Sequence, residues 1–189
     1  MRRRLIDHLR KFARATRGAT ALEFAIIGTP FLVLFFGIIE LGLVFMVSIT
    51  LQNATDAAAR KIRTGQFQTG GAVTKNDFKT QVCNYMTWLQ SSCSANLTVD
   101  VQTFTNFTNQ SNTGARDAST FNPANTCFAT GVAGDIVLVR TYYQWTIFTP
   151  LLNAALVNMG SGSGKRLINA AASFRNEPYS TANATGAAC

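Results

Sequence analysis

The chain has 189 residues, a hydrophobic fraction of 47% and a formal net charge of +8, which fits one modest globular domain plus an extension. The charge does not call for a nucleic-acid partner. Residues 1–18 hold Arg2, Arg3, Arg4, Arg10, Lys11, Arg14 and Arg17 against Asp7 alone, a net +6, and residues 19–189 add only +2. Basicity confined to a short tail beside an apolar run is that of a membrane-flanking segment.

The apolar run comes next. From Phe24 to Ile39 (FAIIGTPFLVLFFGII) there is no charge, and after Glu40 it resumes as LGLVFMVSI to Ile49. At about 1.5 Å per helical residue the stretch can cross a hydrocarbon core about 30 Å thick. Seven Lys or Arg precede it and the first basic group after it is Arg60, which predicts a cytoplasmic N-terminus and a head beyond the membrane. A cleaved secretory signal would have a core of about 7–15 residues and then a small-x-small site. Here the core is longer and SITLQNATDAAAR follows, so the expectation is a retained span.

The helix is predicted to begin near Thr20 and to continue past the span. Leu51, Ala54, Ala58 and Ile62 recur at spacings of three and four, a narrow apolar stripe. Asp56 and Arg60 stand one turn apart and can pair, and Gly65 offers a C-cap. Domain boundaries are expected at 1–18 for a basic leader, 19–64 for the long helix (transmembrane to about 49, then stalk) and 65–189 for the head.

A second helix is predicted over Lys75–Gln90, with Thr74 as N-cap, Asp77 at the third position and a stripe of Phe78, Val82, Tyr85, Met86 and Leu89. Then the period changes to two: Leu97, Val99 and Val101 alternate with Thr98, Asp100 and Gln102. Residues 108–134 read as a long loop tied down by Cys127. Asp135–Ile147 (DIVLVRTYYQWTI) is the strongest strand signal. Pro150–Met159 reads as a short helix, GSGSG at 160–164 as a turn, and Lys165–Arg175 as a third strand. The expected fold class is α+β: a long N-terminal transmembrane helix continuing into a small extracytoplasmic head, with helices packed on an antiparallel sheet.

All four cysteines, Cys83, Cys93, Cys127 and Cys189, follow the span. In an exported domain they predict two disulfides. Three pairings are open, and the short spacing favours Cys83–Cys93 with Cys127–Cys189.

The residues point away from catalysis. The single histidine, His8, lies in the basic tail, so no histidine triad or histidine metal site can form in the head. No C-x-x-C occurs, and the acids beyond the span are scattered. Gly160-Ser-Gly-Ser-Gly164-Lys165 lacks the spacing and the Ser or Thr of a phosphate loop and precedes a strand instead of following one. No cofactor and no metal is expected.

The informative constellation is where the basic tail meets the apolar run. Gly18 ends the tail, Ala19-Thr-Ala-Leu follows, and Glu23-Phe24 opens the run. An ionisable group within an apolar segment defaults to a functional hypothesis. A basic leader, Gly, Glu at the fifth position after it and Phe at the sixth resembles a type IV prepilin signal. In such proteins a prepilin peptidase cuts after the glycine. The resemblance narrows to the TadE-like proteins of the tight-adherence (Tad, type IVc) pilus. It is carried by Glu23-Phe24-Ala25, Pro30, Gly37, Glu40-Leu41-Gly42 and Ala58-Ala59-Arg60, together with FRNEPY at Phe174–Tyr179.

That resemblance implies a minor pilin or pseudopilin, cleaved between Gly18 and Ala19, with Glu23, Phe24 and Glu40 in subunit docking. It implies as partners a prepilin peptidase, other pilin and pseudopilin subunits, an inner-membrane platform and an assembly ATPase. It also implies a bacterial inner-membrane location with a periplasmic head. Glu40 itself, near the outer end of the span, has two readings: solvated at the headgroups, or in contact with a neighbouring helix. Two further readings share these features: a permanently anchored envelope protein with a periplasmic binding domain, and a secretion-system pseudopilin.

Overall fold

The computed structural model describes residues 18–69, 74–111, 113–160 and 162–179. Residues 1–17 of the expected 1–18 leader and Cys189 lie outside the described residues. One helix dominates: α1 runs over Ala19–Arg63, 45 residues, straight through Pro30. Proline removes a backbone donor there, and in the same turn Thr29 Oγ1 donates to the Ala25 carbonyl at 2.8 Å. At the far end Arg60, Lys61 and Arg63 occupy the last turn, where cations complement the helix dipole. The expected stop at Gly65 is present: its φ is +74° and its N–H bonds the Ile62 carbonyl at 3.0 Å.

The chain divides into two compact units, the first ending at Glu40 and the second beginning at Leu41. In the first, the apolar side chains of α1 point outward on every side: Leu22, Ile26, Ile27, Phe31, Leu34 and Ile38 are all exposed. A helix with such a surface needs an apolar solvent. The 20–63 helix meets the length and composition of a membrane span, and a single N-terminal helix of this kind fits a membrane-anchored protein.

In the second unit α1 turns one face inward. Val44, Val47, Leu51, Ala54, Ala58 and Ile62 are buried, the stripe that the three-and-four spacing predicts. They share one core with Phe78, Val82, Met86, Leu97, Val99, Val101, Val137, Val139 and Tyr143. Small residues on α1 let it approach closely: Thr55 Oγ1 lies 2.6 Å from Thr141 Oγ1 of the sheet while also bonding the Leu51 carbonyl. The sheet is antiparallel, in the order β1 (Leu97–Phe104), β2 (Ile136–Thr146), β3 (Lys165–Arg175). The α+β expectation, with helices on a small antiparallel sheet, is met.

Two expectations need correction. The predicted Lys75–Gln90 helix is broken: α2 spans Lys75–Tyr85, a 3-10 turn covers Thr87–Leu89, and α3 spans Gln90–Asn96. The reason is covalent. Cys83 and Cys93 are disulfide-bonded with their Cα atoms 5.5 Å apart, whereas ten residues of unbroken helix would hold them about 15 Å apart. The chain must therefore fold back, and Thr87 takes φ 41° at the break. Closing a loop this short stabilises by about 2–3 kcal/mol in the chain-entropy account. The predicted start holds in full: Thr74 Oγ1 accepts from the Asp77 N–H while Asp77 accepts from the Thr74 N–H, a capping box. The Thr74 hydroxyl also donates to the Asp77 carboxylate at 2.6 Å, and that bond, then the one from the Thr74 N–H, holds the Asp77 carboxyl below its usual value.

The second correction concerns Asp56. It is engaged by Gln52 Nε2, at 3.1 Å to each oxygen, and not by Arg60. The same amide reaches the Ala171 carbonyl of β3 at 3.3 Å, so Gln52 ties stalk to sheet edge and draws Asp56 with it. Of the other predicted elements, Lys165–Arg175 is a strand end to end. Pro150–Met159 contains a 3-10 turn (Pro150–Leu152) and one short helix (Asn153–Leu156).

Candidate functional site

The predicted processing site opens α1. Gly18 forms the turn before Ala19, is exposed, and has nothing within 4 Å of the position a Cβ would take. Glu23 is exposed one turn into the helix, and Phe24 beside it is 77% exposed. Ala19, where a new N-terminus would arise, stands one turn before Glu23 on the helix face, the i to i+4 spacing at which charges meet. Glu40 is placed differently. It is 2% exposed, on the stripe that continues through Val44 and Val47.

Of the predicted cysteine pairs, Cys83–Cys93 is present. Cys127 is also disulfide-bonded, and its expected partner Cys189 lies outside the described residues.

FRNEPY at 174–179, widely separated in sequence from α1, closes on the end of that helix. The Asn176 side chain is buried and donates to the carbonyls of Thr130 and Val132, each at 3.0 Å. Glu177 N–H bonds the Arg63 carbonyl at 2.9 Å, capping α1, and its carboxylate meets Arg63 Nε at 3.2 Å. The Tyr179 hydroxyl accepts from Gln68 Nε2 at 3.0 Å, and that amide also reaches the Ile62 carbonyl at 3.2 Å. Burial, with Asp135 as a lesser cause, raises the Tyr179 hydroxyl above its usual value. The ring of Tyr179 covers Gly65: a Cβ there would lie 2.5 Å from it. Gly65→Ala should therefore combine left-handed backbone strain with a steric clash. We expect a loss of about 2–3 kcal/mol, read as a lower urea midpoint for the full chain in detergent.

The outer face of the sheet carries a polar cluster that sequence reasoning missed. Asp100 is 0% exposed. It accepts from the Cys127 N–H at 2.8 Å, from Gln102 Nε2 at 3.1 and 3.2 Å, and from Arg116 Nε at 3.3 Å. Arg140, its cross-strand neighbour on β2, donates instead to the Thr113 carbonyl. Lys75 donates to Thr126 at 2.5 Å to the hydroxyl and 3.2 Å to the carbonyl. Burial pushes its ammonium down, and Asp100 offsets part of that. Part of the 105–134 segment is thus a second layer over the sheet, where Phe121 adds a ring contact to Tyr142 at 4.9 Å, and residues 127–129 run beside the edge of β1. The sequence carries no signal for this cluster, because Asp100 occupies a polar position of the β1 alternation.

Among the described residues no group of His, Cys, Asp and Glu could hold a metal ion. What fold and site define together is a membrane-anchored protein with a lipid-compatible N-terminal helix and a disulfide-closed α+β head. The family described as TadE-like protein matches residues 18–60, from the leader glycine to Arg60. That match supports a pilin-like protein associated with the Tad pilus, and the family is one of structural proteins, not of enzymes. No curated protein and no solved structure matches the chain.

Proposed function

We propose that the chain is a minor pilin, or pseudopilin, of a Tad-type pilus that contributes to pilus assembly or initiation and to surface adhesion. A prepilin peptidase removes residues 1–18 on the cytoplasmic side, the head is periplasmic before assembly, and the mature helix packs against other pilin and pseudopilin subunits above an inner-membrane platform. The observation that carries this reading is the start of α1. Gly18, Glu23 and Phe24 lie exposed within the TadE-like stretch, at the head of a helix whose apolar surface faces outward all round.

The chemistry supports the order of events. Before cleavage a +6 tail holds residue 18 at the inner surface, because carrying those charges into hydrocarbon is prohibitive. Cleavage leaves one amine at Ala19 and one carboxylate at Glu23. An isolated carboxylate in lipid is costly, so pairing it with an amine, its own or a neighbour's, is favoured. That pairing sets axial register, while the apolar faces of packed helices supply contact area with little register preference.

The test is the N-terminal residue of the protein isolated from piliated cells. Ala19 is the expected result. A chain that still begins at or next to Met1 leaves the permanently anchored envelope protein as the better description.

A further inference from the structure

We propose that the head carries a membrane-docking rim, built from Trp88, Trp145, Phe148 and Leu151, which rests on the headgroup layer of the bilayer that α1 crosses. Trp88 packs edge-on to Trp145 at 6.4 Å, and Trp145 edge-on to Phe148 at 5.4 Å. Large apolar groups at the surface of a small head demand a cover: Trp88 is 43% exposed, Phe148 65% and Leu151 73%.

The position of the rim identifies that cover. Trp88 Nε1 donates to Thr50 Oγ1 on α1 at 3.2 Å, directly after the apolar run ends. Phe45, Met46 and Ile49, the preceding outward residues of the same helix within the second unit, are exposed as well, so the rim extends an apolar face of α1. About 20 residues suffice to cross the hydrocarbon, and counted from Leu22 they reach Leu41. The expected span to residue 49 would instead draw buried Val44 and Val47, with the core they share, into lipid. Leu41–Thr50 then traverses the headgroup region, where indole rings concentrate.

Charge favours the same occupant. Between Asp135 and Glu177 the chain holds no acid, and of its cations there Lys165 and Arg166 lie at the rim end of the sheet. Lys165 and Arg166 stand opposite Thr146 and Trp145 in the sheet register. Cations beside an aromatic rim match anionic headgroups. Reversible interfacial binding of this kind holds the head level on the membrane without the permanence of a second span. The inference rests on α1 being a membrane anchor and is independent of leader cleavage.

The chain contains two tryptophans, both in the rim, so intrinsic fluorescence reports on this site alone. The full chain is reconstituted at high dilution in vesicles of phosphatidylethanolamine and phosphatidylglycerol brominated either near the headgroup or near the chain end. Headgroup-proximal bromine is expected to lower the emission by about half and chain-end bromine much less, with aqueous iodide a weak quencher. The Phe148→Ser/Leu151→Ser double variant should lose most of the lipid quenching and gain iodide quenching, with an unchanged circular dichroism spectrum. Strong iodide quenching of the unaltered chain without bromine quenching overturns the proposal, because the rim then faces water. So does emission insensitive to both quenchers, because the rim is then covered by protein. The unaltered chain decides the matter even where the double variant fails to fold.

Discussion

A Gly18→Leu chain is expected to accumulate in the membrane at full length, its leader attached, with pilus yield falling to background. The substitution is clean because Gly18 is exposed and a Cβ there meets nothing within 4 Å; leucine changes what a peptidase must accommodate at a position outside the core. The uncut subunit keeps the +6 tail of residues 1–18. With that tail attached it cannot move outward, since the charges would have to enter hydrocarbon. Glu23→Gln separates the second step from the first. It should be cut normally, begin at Ala19, and fail to be recovered with other pilin subunits in wild-type amounts. Immunoblot mobility reads the cut, and co-purification reads the docking. Normal processing of the leucine variant would remove Gly18 from the mechanism, and normal recovery of the glutamine variant would remove Glu23.

How much of this was legible before the structure depends on the range over which each residue acts. The α1 stripe of Leu51, Ala54, Ala58 and Ile62, the Thr74–Asp77 capping box, the Gly65 stop and strands β1 to β3 all follow from spacing within a few residues, and spacing is what a sequence displays. The break at Thr87 was only partly legible: a Cys83–Cys93 bond forbids a helix unbroken to Cys93, but a helix to Gln90 leaves three residues for the return, and the chain turns earlier, at Thr87. Burial of Asp100 was not legible. Alternation in β1 assigns it to a solvent face, and only the return of residues 105–134 over that face makes it interior. The clasp of Glu177 and Tyr179 on Arg63, Gly65 and Gln68 joins segments over a hundred residues apart. The FRNEPY string could be recognised, but its task could not. Glu40 keeps both of its readings, solvated at the headgroups or in contact with a neighbouring helix.

Two ion pairs among the described residues of the second unit allow a direct comparison of energies, and the larger effect belongs to Asp100. Arg63 and Glu177 are each about half exposed, so Arg63→Ala should cost no more than about 0.5–1 kcal/mol. Asp100→Ala should cost about 3 kcal/mol, because the carboxylate is fully buried and four donor contacts converge on it. Removing it strands the Cys127 N–H and the Gln102 amide beneath the 105–134 layer, and a stranded buried donor carries its full desolvation cost. Arg116, about a third exposed, can turn to water, which limits the loss. Lys75, already pushed down by burial, loses the charge that partly offset it. Urea titration of the full chain in detergent, followed through Trp88 and Trp145, gives both losses on one scale. Limited proteolysis locates the second: cuts should appear first between residues 105 and 126 in the Asp100 variant, and the β2 and β3 segments should stay protected. If Asp100→Ala costs no more than Arg63→Ala, the 105–134 layer is held by its apolar contacts, such as Phe121 on Tyr142, and the buried carboxylate is not its anchor.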